Sequence, residues 1–152
     1  MRLTVLTDYA LRLLIYVAQK PERLCTIGEI AKAHGVSESH LMKVTQLLGQ
    51  HGWLQTVRGK GGGMRLAKPP SEINLGAVVR SMESDFLLVE CFATGSACVL
   101  TNRCRLTGVL DGALKTFFAH LDGFTLEDIL PREPAVPADR VARVEFRPRK
   151  VT

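Results

Sequence analysis

No apolar run in this 152-residue sequence approaches the roughly 18–20 residues that a helix needs to cross a bilayer, which excludes a membrane-spanning helix. The Leu- and Val-rich opening is interrupted by Asp8 and Arg12, and no small-residue cleavage site follows. It is therefore expected to fold as a helix rather than act as a secretion signal. The expected compartment is the cytoplasm, where thiols stay reduced. There is no internal repeat, no glycine-rich nucleotide loop after a strand and no convincing pairing of a histidine with an acid, so nothing argues for an enzyme. Cysteine is scarce, four residues in all, and C-x2-C spacing is missing, which removes the common zinc ribbon. One more absence is local: between Ser39 and Ser71 there is no Asp or Glu.

What is present is an apolar content of 46%, enough for the core of one small domain with an extension. The net charge is +5, but Pro131 to Thr152 holds six basic and three acidic residues, a net +3, which leaves +2 for residues 1–130. Total charge therefore decides little. A polyanionic partner has to be argued from where the charge lies.

Periodicity predicts a mainly α chain with one small β-hairpin. Leu6, Tyr9, Ala10, Leu13 and Val17 recur at helical spacing over residues 5–19, with Thr4 and Thr7 as candidate caps and Pro21 as the stop. Thr26 with Glu29 reads as a capping box opening a second helix that Gly35 ends. Ser37 is expected to cap a third helix running to His51, with Val36 and Leu41 as a hydrophobic staple. Residues 53–57 and 64–67 flank the glycine-rich stretch Arg58 to Gly63 and read as a hairpin. A short amphipathic helix follows over 73–84. After an irregular stretch, a long helix is expected from Arg105 to Leu121. Its stripe of Leu106, Val109, Leu110, Ala113, Leu114, Phe117, Phe118 and Leu121 is too wide for one small core, so part of it is expected to pack against a second subunit. Thr125 is expected to cap a last short turn.

Helix, tight turn, helix and basic hairpin make a winged helix-turn-helix. The third helix would enter the major groove of double-stranded DNA, with Ser37 at its start facing a phosphate and Ser39, His40, Lys43 and Gln46 directed outward. Arg58, Gly59, Lys60 and Arg65 belong to the wing, where Gly59 and Gly61 to Gly63 would let the backbone approach the minor groove. The acid-free run carries Lys43, Arg58, Lys60, Arg65 and Lys68, as a phosphate-facing surface requires. The expected organisation is a DNA-binding domain over 1–72, then a short helix, cysteine loop and dimerisation helix over 73–130, then a mobile tail over 131–152.

Cys91, Cys98 and Cys104 lie within one irregular 14-residue stretch, with six and five residues between them. Filler for a core would not cluster so, which leaves metal or thiol chemistry. Three thiolates suit three corners of an iron–sulfur cluster, but a fourth ligand is needed. Cys25, Asp8, Glu90 and the histidines are candidates. Cys25 reads first as a small buried residue, and Asp8 as a carboxylate favoured by the helix dipole and by Arg12 four residues on. Chemistry alone leaves zinc, iron–sulfur and a thiol switch open.

Several segments in order resemble the NsrR/IscR (Rrf-type) family of winged-helix iron–sulfur regulators. They are Met1-Arg2-Leu3-Thr4-Val5-Leu6-Thr7-Asp8-Tyr9-Ala10-Leu11-Arg12, Ile27-Gly28-Glu29-Ile30-Ala31, Ser37-Glu38-Ser39-His40-Leu41-Met42-Lys43-Val44, Gly59-Lys60-Gly61-Gly62-Gly63 and the three-cysteine loop. Leu88-Val89-Glu90-Cys91-Phe92 is most similar to the nitric-oxide-sensing, NsrR-type branch. IscR-type members use a histidine three residues after the last cysteine, and here that residue is Thr107. The resemblance implies a homodimeric, cytoplasmic transcription repressor that binds a DNA operator and releases it when nitric oxide nitrosylates a cluster, [4Fe-4S] ahead of [2Fe-2S]. It also implies ligation by Cys91, Cys98 and Cys104, with Asp8 from the other subunit as fourth ligand. An iron- or redox-sensing relative, or a zinc- or thiol-based DNA-binding switch, is the alternative.

Overall fold

Thr4 sets the start of the first helix: its backbone is extended and its hydroxyl accepts the Thr7 N–H at 3.3 Å, so α1 runs Val5–Ala18. In the computed structural model, which describes residues 2–92, 95, 98, 100 and 104–131, two more helices follow, α2 (Ile27–His34) and α3 (Glu38–Gln50). Gly35 turns the chain between them in the left-handed region, at φ 63°. Strands β1 (Leu54–Val57) and β2 (Gly63–Leu66) form the antiparallel hairpin, with Leu54 opposite Leu66 and Val57 opposite Gly63. Helices α4 (Leu75–Met82) and α5 (Leu106–Asp122) complete the regular structure. Most of the expected tail, residues 132–152, and residues 93, 94, 96, 97, 99 and 101–103 of the cysteine loop lie outside the described residues.

The core is built where α1, α2, α3 and the hairpin converge. Leu13, Leu14, Ile30, Val44 and Leu48 are fully enclosed, with Met64 of β2 and Val78 of α4 against them. A third strand-like pairing closes this core: Cys25 donates its N–H to Met64 O at 2.9 Å and accepts the Met64 N–H at 2.8 Å. The sequence offered no short-range sign of that pairing.

Three cap expectations change. Thr26 accepts the Glu29 N–H at 3.3 Å, but the Glu29 carboxylate pairs with Arg23 at 2.9 Å instead of returning to Thr26, so the capping box is half made. Ser37 occupies the N-cap position of α3 without a side-chain cap bond, its hydroxyl lying 3.2 Å from that of Ser39. Thr125 does not cap the last turn: its N–H and O–H both donate to the Asp128 carboxylate.

Helices α4 and α5 are joined by charge. Arg80 holds Asp122 through two bonds of 2.7 Å, and the Asp122 oxygen occupies the space a side chain at Gly76 would need. Helix α5 itself is poorly covered. Of its 17 residues only Phe118 is buried, while Leu106 and Val109 are 58% and 67% exposed. The stripe expected to exceed one chain's core does so.

Candidate DNA interface and candidate metal centre

Helix α3 divides cleanly into two faces. Leu41, Val44, Thr45 and Leu48 are buried, while Ser39, Lys43 and Gln46 share the solvent face at helical spacing. His40 also lies exposed but leans sideways, its ring centroid 6.4 Å from that of Tyr9 on α1. Ser37, Arg58, Gly59, Lys60 and Arg65 are exposed as well, so all nine residues expected to face DNA are free of the core. Across the hairpin, Arg65 donates to Gln55 Oε1 at 2.9 Å, which fixes its direction.

Two of the wing glycines also have a structural use. A Cβ at Gly62 would stand 2.3 Å from Val57 O, and one at Gly63 would stand 2.6 Å from Cys25 O. Both are needed so that the backbone can fold upon itself. The cationic tip, Arg58 and Lys60, is thereby displayed by internal packing.

Sequence reasoning passed over Met42. It is 55% exposed and lies on the same stripe as Ser39, Lys43 and Gln46. The spacing was visible, but an apolar residue beside Leu41 reads as core unless its helical angle is followed.

At the other end, the cysteines separate into kinds. Cys25 is fully buried, and burial, with a hydrogen bond to Glu29, pushes its thiol pKa up. That suits packing and disfavours the thiolate a metal needs. Cys91, Cys98 and Cys104 are all partly exposed, and none is in a disulfide. Arg105, at the N-cap position of α5, supplies no side-chain cap. At the start of α5, hydrogen bonding by the Thr107 N–H, then by the Thr107 hydroxyl and the Leu106 N–H, holds the Cys104 thiol pKa below its usual range. Cys91 Sγ lies 3.7 Å from the same Thr107 hydroxyl. One hydroxyl can thus donate to Cys104 while accepting from Cys91. Phe86, Leu87, Cys91, Phe92, Thr107 and Asp111 line an open cleft there. The sequence drew notice to Thr107 only as the place of an absent histidine, and to Asp111 not at all, although the two stand one helical turn apart just after Cys104.

The expected ligand set is only partly assembled. Among the described residues no three His, Cys, Asp or Glu side chains converge as a metal-holding group. Asp8 is held by Arg12, at 3.0 Å from Nε and 2.9 Å from a terminal nitrogen, and its surroundings are Arg2, Leu3, Thr4, Val5 and Leu11. The donors nevertheless suit an iron–sulfur cluster chemically: part-exposed thiols, one of them favoured as thiolate.

One residue ties the two ends of the molecule. Glu83, just after α4 and eight residues before Cys91, accepts from the Thr4 N–H at 2.7 Å, the Thr4 hydroxyl at 3.1 Å and the Thr7 hydroxyl. The start of α1, and with it Asp8, is anchored to the segment leading into the cysteines.

Comparison with known proteins gives this arrangement a context. The family model described as "Rrf2: Iron-dependent Transcriptional regulator" matches residues 3–132. The HTH-type transcriptional regulator NsrR of Bacillus subtilis is 48% identical over 132 residues, covering 86% of this chain and 90% of that protein. The protein of the same name from Geobacillus kaustophilus is 49% identical over 132 residues, with the same coverage of each chain. Among solved structures, T. potens IscR superposes with a TM-score of 0.68 at 25% identity, covering 85% of each chain.

Proposed function

The chain belongs to the Rrf2 family of transcriptional regulators, and from that premise we propose that it works as a homodimer which senses nitric oxide through an iron–sulfur cluster and then lets go of its operator. It is a DNA-binding transcription repressor, not an enzyme. Among its described residues no helix is long and apolar enough to cross a membrane. Residues 1–72 form the reading head, with α3 in the major groove and the Arg58–Lys60 tip beside it. Residues 73–130 carry the sensor and the dimer contact.

Cys91, Cys98 and Cys104 would hold the cluster, with Asp8 supplied by the other subunit. When bound, the cluster supplies thiolate-held iron, open to a small diatomic ligand where the harder, weaker carboxylate binds. The observation that carries this reading is the Cys91 sulfur 3.7 Å from the Thr107 hydroxyl, at the same threonine that lowers the Cys104 thiol pKa.

The chain's own residues supply the coupling. Asp8 has a partner in Arg12, one turn along the same helix, which would hold the carboxylate whenever it is not a ligand. Glu83 links that helix start to the cysteine segment. Tyr9, next to Asp8, touches His40 at the start of α3. A change in where Asp8 is held therefore reaches the recognition helix through α1. Dimer half-sites lie roughly 34 Å apart, so a small rotation unseats one reading head.

The test is oxygen-free purification followed by absorption and Mössbauer spectra and DNA retardation, before and after nitric oxide. Intact protein is expected to bind DNA with iron and sulfide present and to release it on treatment. Asp8→Ala is expected to alter both the spectrum and the response. An unchanged spectrum and response in that variant would remove the coupling. A thiolate-favouring Cys104 also suits a zinc or thiol switch, which zinc without iron and sulfide would establish.

A further inference from the structure

We infer that Met42 reads the 5-methyl group of a thymine in each half of the operator. The inference rests on the placement of α3 in the major groove. On α3, residues 39, 42, 43 and 46 form one solvent stripe, opposite the buried Leu41, Val44 and Leu48. Three of the four are polar and can serve phosphates or base edges. The fourth is a methionine with 55% of its surface exposed.

Exposure of an unbranched apolar side chain at this place needs a partner, and its surroundings choose which. A protein-binding patch needs contiguous apolar surface. Of the other large exposed apolar residues, Val5, Val57, Leu106 and Val109 sit on α1, the wing and α5, and none of the rest lies on α3. On the α3 stripe Met42 stands alone among polar neighbours. Those neighbours belong to the stretch from Ser39 to Ser71 that has no acid and five Lys or Arg residues, which is complementary to a polyanion. In a polyanionic groove the one apolar feature on a base edge is the thymine methyl. Cytosine presents a hydrogen there, so contact with the methyl separates T from C at a position where charge cannot. Met42 is the fifth residue of α3, within the N-terminal part that meets base edges in this class of motif. Its flexible thioether adapts to a methyl group without the rotamer demands of a branched side chain. Lys43 beside it and Gln46 one turn on would engage the flanking bases or phosphates.

The experiment uses full-length protein and a duplex selected by it from a random double-stranded pool. Each thymine of that duplex is replaced, one at a time, by deoxyuridine, which removes the methyl and nothing else. At one thymine per half-site the wild type is expected to lose roughly three- to tenfold in affinity, the scale of one buried methyl group. Met42→Ala is expected to bind the two duplexes alike. Met42→Gln, which keeps the length and loses the apolar end, serves as second variant. Both lie on the surface, so native helix content is expected and is checked by circular dichroism. If no thymine is sensitive, or if both variants keep the wild-type sensitivity, Met42 does not read the methyl. Lys43→Ala and Gln46→Ala separate the two levels. If neither weakens binding, the placement of α3 itself is wrong and the inference falls with it. If they weaken binding while the methyl effect is absent, only the inference falls.

Discussion

The segment from Tyr9 to Leu66 and the segment from Ser84 to Phe117 treat their apolar side chains in opposite ways. In the first, Leu13, Leu14, Ile30, Leu41, Val44, Leu48, Leu54 and Met64 close over one another within a single chain. In the second, Leu87, Leu106 and Val109 are half or more exposed, and the Cys91 sulfur meets a threonine rather than a core. A fully buried Leu or Val contributes about 1.5–3 kcal/mol, so so much open apolar surface on one helix is a contact waiting for its other side. The core of the first segment closes within one copy. On the proposed reading, the second is completed by a second copy and a cofactor.

The largest test of that contrast is to charge the open face. Leu106→Glu combined with Val109→Glu is expected to give a monomer in sedimentation and to lower affinity for a two-half-site duplex on the order of 100-fold, since the second head no longer binds intramolecularly. The reading head should keep its helix content. A dimer of unchanged strength would break the comparison.

Next comes a change confined to the reading head. Gly62→Ala places a Cβ 2.3 Å from Val57 O and 2.9 Å from Gly59 O, both rigid backbone atoms. The wing tip must rebuild, at a cost of about 1–3 kcal/mol. DNA affinity measured by anisotropy is expected to fall roughly tenfold, while dimer mass stays as it was.

The smallest effect lies at the junction of α4 and α5. The Arg80 guanidinium holds the Asp122 carboxyl below the ordinary carboxylate range. The folded chain therefore takes up that proton less readily than the unfolded one. The contribution is fully present above the ordinary aspartate pKa and is lost as pH falls toward the lowered value. The pair is exposed, so the effect is modest. Asp122→Asn should lower the melting temperature slightly at neutral pH and converge on the wild type in acid, which flattens the acid limb of the stability profile.

Much of this was legible in the sequence. The helices and the hairpin show themselves by period, and Gly35 marks the turn that makes the helix pair. The excess of the α5 stripe is visible from Leu106 to Leu121 before any coordinates. Less legible were contacts between distant residues. Glu83 on Thr4 and Thr7 spans more than 70 positions, and Cys25 against Met64 is a backbone pairing without a side-chain signature. Caps failed where a competing partner was closer: Arg23 took Glu29, and Ser39 took Ser37. Among the described residues the proposed ligand set is not assembled, and Asp8 pairs with Arg12. Chemistry divided between subunits, as proposed, would leave no short-range pattern.

That division is what one mixing experiment addresses most directly. A chain carrying Asp8→Ala with all its cysteines, and a chain carrying Cys91→Ala with Asp8 intact, are each expected to lack a wild-type cluster spectrum. Heterodimers of the two bring one full set of cysteines together with one Asp8. The expected result is recovery of the wild-type spectrum and nitric oxide response at one site per dimer. If the mixture behaves as the sum of its two defective parts, the sensor is not completed across subunits.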